Sequence, residues 1–405
     1  MNRPLSGVKV LEMSTFVAAP VCARLLADLG ATVIKVEGPN GDNWRQTAIS
    51  YRHNHFSDAE NPVFDIYNTG KKLISLNLKT EDGKEAFHKL LSQSDVFVTN
   101  IRVQALKKLG ISYDDLKDKY PSLIYGSVLG YGEKGPDANN PAFDTSAFWA
   151  RSGFLRDMGV GGENYNPIYP PYSVGDTVTG MFLMGEICAA LYKRRETGKG
   201  EHVRSTLFHN AIFTMGTMQI IAQKGLDNVY PKTKAMSTTP PSGHYKTKDG
   251  DWVFLSGYTR ESLERFLRLV GRNDLVDDPK FSTFEARDAN RQELYDEVVK
   301  IYASKTCEEW LAFAKENDFP MIRMNHFSDL TEDEQAWANG FLENVDFASG
   351  NTRVMPRSPI EMDSVTDLKT VPAKGIGADT EEILNQLGYT AEQIKYMSDL
   401  GAVRL

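Results

Sequence analysis

The sequence predicts an α/β fold, a largely parallel sheet covered by helices. Three observations carry that prediction. A strand at 8–12, a helix at 18–30 and a second strand at 31–37 form a βαβ unit within the first 40 residues. Strand and helix patterns then keep alternating to about residue 128. The chain has 405 residues, 41% hydrophobic and 25% charged, which is the composition of a packed globular protein. A βαβ unit needs a right-handed crossover and leaves its loops at the strand carboxyl ends, where open sheets bind ligands.

Each element has its own reason. Val8-Lys9-Val10-Leu11-Glu12 is a β-type run. Ala18, Ala19, Cys22, Leu25, Leu26 and Leu29 recur at helical spacing, and Gly30 stops the helix. Ala31 to Glu37 is β-branched and ends at Gly38-Pro39. Strands follow at 72–78, 95–99 and 123–128, with helices at 80–91, 103–109 and 113–119 between them. Residues 133–174 are rich in Gly, Pro, Asn and Tyr without a period, so they read as a functional loop region. A long helix is expected over 177–195, with Lys193, Arg194 and Arg195 at the negative end of its dipole. A further helix is expected over 206–222.

Prolines at 231, 240 and 241 introduce a second region. Asp249-Gly250 between two β-type runs predicts a hairpin over 245–255. Helices are expected at 260–270, 289–303 and 307–316, the last with a capping box of Thr306 and Glu309. Residues 226–325 therefore read as a smaller α+β domain. Two tail helices open at Asp379 and at Thr390, the latter with Gln393 as its box partner.

Several function classes are disfavoured at once. A net charge of −8 argues against nucleic acid as the main partner. Three cysteines make no disulfide framework and favour a reducing, cytoplasmic setting. No run of 18 apolar residues and no signal-peptide pattern is present, which argues against a membrane span or secretion. GxGxxG, GxxxxGK[ST] and GxSxG are all absent, so nicotinamide, P-loop and serine-hydrolase chemistry find no support. Cys22, Cys188 and Cys307 are isolated, and His53 and His55 lack a surrounding ligand set, so no metal site is expected.

Two features remain. Val17-Ala18-Ala19-Pro20 places small residues at a helix start, suited either to close ligand approach or to tight helix–sheet packing. Asp176 sits between Gly175 and a helix start, at the end of the long loop. An aspartate there is a favoured N-cap. It is also a nucleophile that needs no general base, being ionised at pH 7. Composition does not choose between these readings.

The order of motifs resembles the class III CoA-transferases. The matching segments are Pro4 to Glu12, Gly30 to Glu37, Asn68-Thr69-Gly70-Lys71-Lys72, Leu76-Asn77-Leu78-Lys79, Thr99-Asn100-Ile101-Arg102, Gly130-Tyr131-Gly132, Gly175-Asp176 to Gly180-Met181, and Thr197-Gly198-Lys199-Gly200. The resemblance implies a Rossmann-like large domain, built from 1–225 and 326–405, with a smaller inserted α+β domain at 226–325. It further implies an interlocked homodimer. It places the nucleophile on Asp176 and a neighbouring acidic residue on Asp144. A coenzyme A thioester is the implied substrate, without a permanent cofactor or metal, and a carboxylic acid is its acceptor. The implied CoA groove takes Val17, Ala18, Leu76, Lys79, Asn100, Ile101, Arg102 and Lys108. Gly38, Val103-Gln104, Lys108 and the Ser237 to Gly243 stretch depart from the family pattern. The racemases of this fold carry a histidine where this chain has Phe143, so a two-base proton exchange is disfavoured. The segment from Glu332 to Asn339, with Tyr131 to Pro136 and Phe143-Asp144, looks most like enzymes of amino-acid fermentation that use an (R)-2-hydroxy acid such as 2-hydroxyisocaproate or phenyllactate, with carnitine-, oxalate- or succinate-specific transferases as the alternatives.

Overall fold

The computed structural model describes residues 3–50, 56–57, 59–226, 228–237, 239–257 and 259–405. His53 and His55 lie outside the described residues, as does Thr238 of the Ser237 to Gly243 stretch. The chain divides into two compact units. The first comprises Met1–Ser152, Pro170–Gln219 and Asp333–Leu405, and the second Gly153–Tyr169 and Ile220–Glu332.

The first unit is built on a seven-stranded sheet. Its strands are β1 (Lys9–Met13), β2 (Thr32–Glu37), β3 (Lys72–Leu76), β4 (Val96–Thr99), β5 (Ile124–Leu129) and β6 (His202–Thr206), with the C-terminal strand Val403–Arg404 at one edge. The spatial order is C-terminal strand, β3, β2, β1, β4, β5, β6. All pairs are parallel except the last strand, which runs antiparallel to β3. The order reverses direction between β1 and β4. At such a switch point the loops leaving two neighbouring strands diverge and open a crevice beyond their carboxyl ends.

Strand side chains alternate between the two faces. Leu11, Val36, Ile74, Phe97 and Tyr125 meet Phe87, Leu90 and Leu91 of the helix Glu81–Ser92 and the tail residues Ile383, Leu384, Ile394 and Met397. Val10, Val33, Val96, Val98 and Ile124 meet Ala19, Cys22 and Leu26 of the first helix (Ala18–Asp28) and Leu183, Ile187 and Leu191 of the long helix (Val174–Thr197). Each fully buried aliphatic side chain contributes about 1.5–3 kcal/mol. The long helix is apolar and long enough to cross a membrane by length and composition alone. Here one side of it packs on the sheet beside the first helix.

The two helices approach closely because Gly180 lacks a side chain. A Cβ there would lie 2.5 Å from the Ala18 carbonyl oxygen and 2.8 Å from Val21 Cβ. The carbonyl belongs to the backbone of a buried helix and has little freedom to yield.

The structure differs from the sequence pattern at several points. The long helix begins at Val174, three residues earlier than the apolar pattern indicates. Within 133–174 stands a seven-residue π-helix, Asp144–Ala150, and a short helix, Phe154–Asp157. The 206–222 helix is two pieces, Leu207–Thr214 and Gly216–Ile221. Residues 153–169, read from the sequence with the first domain, belong to the second compact unit.

That second unit contains a three-stranded antiparallel sheet of Gly243–Lys246, Trp252–Leu255 and Met321–Arg323. Its hairpin turns at Asp249-Gly250 as expected. Tyr245 and Tyr302 stack with centroids 4.4 Å apart, in a core shared with Phe266 and Trp310. The Thr306–Glu309 capping box is present.

A paired substitution tests the helix approach. Gly180→Ala should lower the melting temperature, because overpacking costs about 1–3 kcal/mol and outweighs the helix-propensity gain of about 1 kcal/mol. Gly185→Ala, on the same helix with nothing within 4 Å of the new Cβ, should leave the melting temperature unchanged or raise it. Equal responses at both positions would remove the steric argument.

Candidate active site

The crevice at the switch point is a cavity of about 450 Å³. Thr15 to Ala18 wall it from the loop after β1, and Asn100 to Gln104 from the segment after β4. Val128 to Gly130 and the 140–144 segment line the far side, and Asp144 and Asp176 both face it. The loop after β1 is clamped in place. Asn100 accepts from the Thr15 N–H at 3.0 Å and donates to the Thr15 carbonyl at 2.6 Å.

The start of the long helix is built around a carboxylate from elsewhere in the chain. Ser173, in the left-handed region at φ 65, occupies the N-cap position, so Asp176 lies inside the first turn. The capping reading of Asp176 is therefore corrected: its side chain is not the cap. Asp144 takes over the electrostatic part of that task. The backbone N–H groups of Ser173, Gly175 and Asp176 face its carboxylate and favour its ionised form. None makes a bond of ordinary geometry to Oδ1, which has no hydrogen-bond partner among the described residues. Oδ2 accepts from the Trp149 indole N–H at 3.3 Å. Glycine is required at 175, because a Cβ there would sit 2.2 Å from Asp144 Oδ1 and 2.3 Å from Phe148 Cγ.

Two carboxylates thus share one poorly solvated corner. Burial pushes Asp176 up to about 7, with the Asp144 charge adding to it. Burial likewise raises Asp144 to about 6, opposed by the Trp149 indole and the three N–H groups. The sequence reading missed a third member. Burial raises the Tyr67 phenol; hydrogen bonds with Ser173 and Thr177 oppose this, and the charges of Asp176 and Asp144 add to it. Nothing in the local sequence around Asn61-Pro62, which caps and opens the helix Pro62–Asn68, points to that neighbour.

Of the residues singled out from sequence, Val17, Ala18, Asn100, Ile101, Arg102, Asp144 and Asp176 line one cavity. Leu76, Lys79 and Lys108 do not line it. The Leu76 side chain is buried in the sheet core. Lys79 and Lys108 are exposed, as is Arg102. Among the described residues none of these three cations has an ion-pair partner. Lys79 follows β3 and Arg102 follows β4, so both stand beyond strand carboxyl ends. Among the described residues no group of three or more His, Cys, Asp or Glu is placed to hold a metal. The seven histidines include His202, whose ring stacks on Tyr113 at 4.4 Å and bonds the Ser127 hydroxyl at 2.9 Å, a packing role.

Comparison with known proteins identifies the family. The model for "CoA-transferase family III" aligns with residues 5–380, which include the cavity wall and the helix bearing Asp176. The chain is 41% identical to an (R)-2-hydroxy-4-methylpentanoate CoA-transferase of Clostridioides difficile, covering 99% of each chain. It is 38% identical to a cinnamoyl-CoA:phenyllactate CoA-transferase of Clostridium sporogenes, covering 96% of this chain and 95% of that one. Among solved structures it is similar to a CAIB/BAIF family protein of Brucella suis, with a TM-score of 0.79, 28% identity and 96% and 100% coverage. It is also similar to Rv3272 of Mycobacterium tuberculosis, with a TM-score of 0.80, 27% identity and 94% and 99% coverage. A family match over residues 5–380, with relatives 41% and 38% identical over nearly their full length, places the chain in CoA-transferase family III, as a class III CoA-transferase.

Proposed function

We propose that this enzyme moves CoA between an acyl- or enoyl-CoA and an (R)-2-hydroxy acid, with Asp176 as the nucleophile. The observation that carries the proposal is the position of Asp176, a partly desolvated carboxylate on a helix N-terminus facing the switch-point cavity. Full-length similarity to a 2-hydroxy-4-methylpentanoate enzyme and a phenyllactate enzyme supports the acid class.

The steps balance without ATP or metal. An Asp176 oxygen attacks the thioester carbonyl, the C–S bond breaks, and CoA leaves as thiolate from a mixed anhydride. The thiolate attacks the aspartyl carbonyl, releasing the first acid as carboxylate and leaving an aspartyl-CoA thioester. The acceptor carboxylate then displaces the thiolate to form a second anhydride. Attack of the thiolate on the acceptor acyl carbon restores Asp176 and releases the new thioester. Acylation turns a buried charge into a neutral anhydride and ends its repulsion with Asp144. The features that raise the Asp176 pKa therefore also favour its acylation.

Lys79, Arg102 and Lys108 would attract CoA phosphates, and Val17, Ala18, Asn100 and Ile101 would line its arm. Leu76 would contribute only through its backbone. Phe143, in place of a histidine beside Asp144, leaves no second base for racemisation. The reading includes a cytoplasmic enzyme acting in amino-acid fermentation as an interlocked homodimer.

A CoA-exchange panel by mass spectrometry tests the substrate class. With phenyllactate, 2-hydroxyisocaproate, carnitine, oxalate and succinate as acceptors, the two 2-hydroxy acids should be fastest. Preference for any of the other three would overturn the assignment. Asp176→Ala should stay folded and lose at least about a thousandfold in turnover; retained turnover would sink the nucleophile assignment.

The carboxylate pair also sets a pH profile. Attack needs Asp176 ionised, so kcat/KM should rise as pH increases through about 6 to 7. Asp144→Asn removes the repelling charge and should move the upper inflection to lower pH. A profile flat from pH 5 to 8 would contradict the pairing.

A further inference from the structure

One buried feature of the first unit has no part in the transfer steps. Four charged side chains with no solvent exposure form a charge-balanced cluster: Glu12 of β1, Lys35 of β2, Asp42 and Lys71. Lys35 Nζ lies 2.8 Å from Glu12 Oε1 and 2.9 Å from Asp42 Oδ2. Lys71 Nζ lies 2.7 Å from Glu12 Oε2 and donates to the Pro20 carbonyl at 3.0 Å. Lys35 also donates to the Ser14 carbonyl at 3.1 Å. Glu37, paired with Arg45, accepts from the Asp42 N–H.

The cluster reaches the cavity through Asp42. Its Oδ1 accepts from the Phe16 N–H at 3.1 Å and the Trp44 N–H at 2.9 Å. Phe16 stands in the left-handed region, at φ 62. A bulky residue adopts that conformation only where its surroundings over-determine it. The Phe16 ring meets Phe143 edge to face, with centroids 5.4 Å apart, and Phe143 directly precedes Asp144. Both rings line the cavity that holds Asp144 and Asp176.

We infer that Asp42 is a positioning residue for CoA transfer: it holds Phe16 in its left-handed conformation, and the Phe16–Phe143 contact sets the cavity wall beside Asp144. The inference rests on the reading of this cavity as the transfer site. A carboxylate suits the role because all its lone pairs accept. It bridges two N–H groups and an ammonium at once. An asparagine of the same shape must turn its NH2 toward either Lys35 or the two N–H groups, and loses one side of the bridge.

The test is a double-mutant cycle in the full-length enzyme, with kcat and KM measured on whichever acid the wild type transfers fastest. Asp42→Asn and Phe16→Ala should each lower kcat about tenfold or more, with smaller changes in the KM for acyl-CoA. The double variant should fall within about threefold of Phe16→Ala alone, because both changes break the same chain of contacts. Fully additive losses would show that Asp42 acts by another route and overturn the inference. Phe16→Gly keeps the test decisive if Asp42→Asn fails to fold. Glycine adopts the left-handed region freely, so that variant should fold and lose kcat; full kcat would overturn the inference. Retained transfer by Asp176→Ala would instead remove the site reading on which it rests.

Discussion

The structure depends on how closely the first and long helices approach on one face of the sheet. Gly180 allows it, since any side chain there would strike the Ala18 carbonyl. That contact fixes the long helix along its axis relative to the loop after β1. It therefore also fixes where the first turn, with Asp176, meets the crevice between β1 and β4. Gly175 repeats the device five residues earlier, admitting Asp144 against the helix start. Two missing Cβ atoms thus make room for the carboxylates where they stand.

Charge is handled in two contrasting ways within this unit. Under the first helix, Glu12, Asp42, Lys35 and Lys71 are fully buried and mutually paired. Burial works against the Lys35 ammonium, but Asp42, Glu12 and Glu37 outweigh it and hold its pKa above the ordinary lysine range. Such clusters add little net stability, since desolvation offsets the attraction, but they fix geometry. In the cavity Asp144 is buried and Asp176 half-buried, neither has an ion-pair partner among the described residues, and desolvation pushes the first up to about 6 and the second to about 7. Unpaired, desolvated acids with strongly shifted pKa values are a mark of functional sites. The paired set fixes geometry, and the unpaired set contains the proposed nucleophile.

Much of this was legible in the sequence, for local reasons. Residues 8–12 and 31–37 read as strands because β-type side chains cluster between turn residues, and the 18–30 spacing gives a helix. Asp249-Gly250 marked its hairpin for the same kind of reason. The helix Pro62–Asn68 carries a start signal in Asn61 and Pro62. What stayed hidden was long-range. No local pattern shows that Asp144 serves a helix beginning at Val174, or that Phe16 is held at positive φ by Asp42. Asp176 stood out as a helix-start aspartate, yet its place in the first turn rather than at the cap depends on Ser173 adopting a left-handed conformation. The motif that contains Leu76 was visible, but not that its side chain is committed to the core.

Transfer through Asp176 requires a covalent bond to its carboxylate. Incubation of the enzyme with acyl-CoA and hydroxylamine, followed by peptide mass spectrometry, reads that bond directly. Nucleophilic catalysis by Asp176 should give a hydroxamate on Asp176, formed only when acyl-CoA is present. A hydroxamate on another carboxylate, or none under conditions of active transfer, would contradict it.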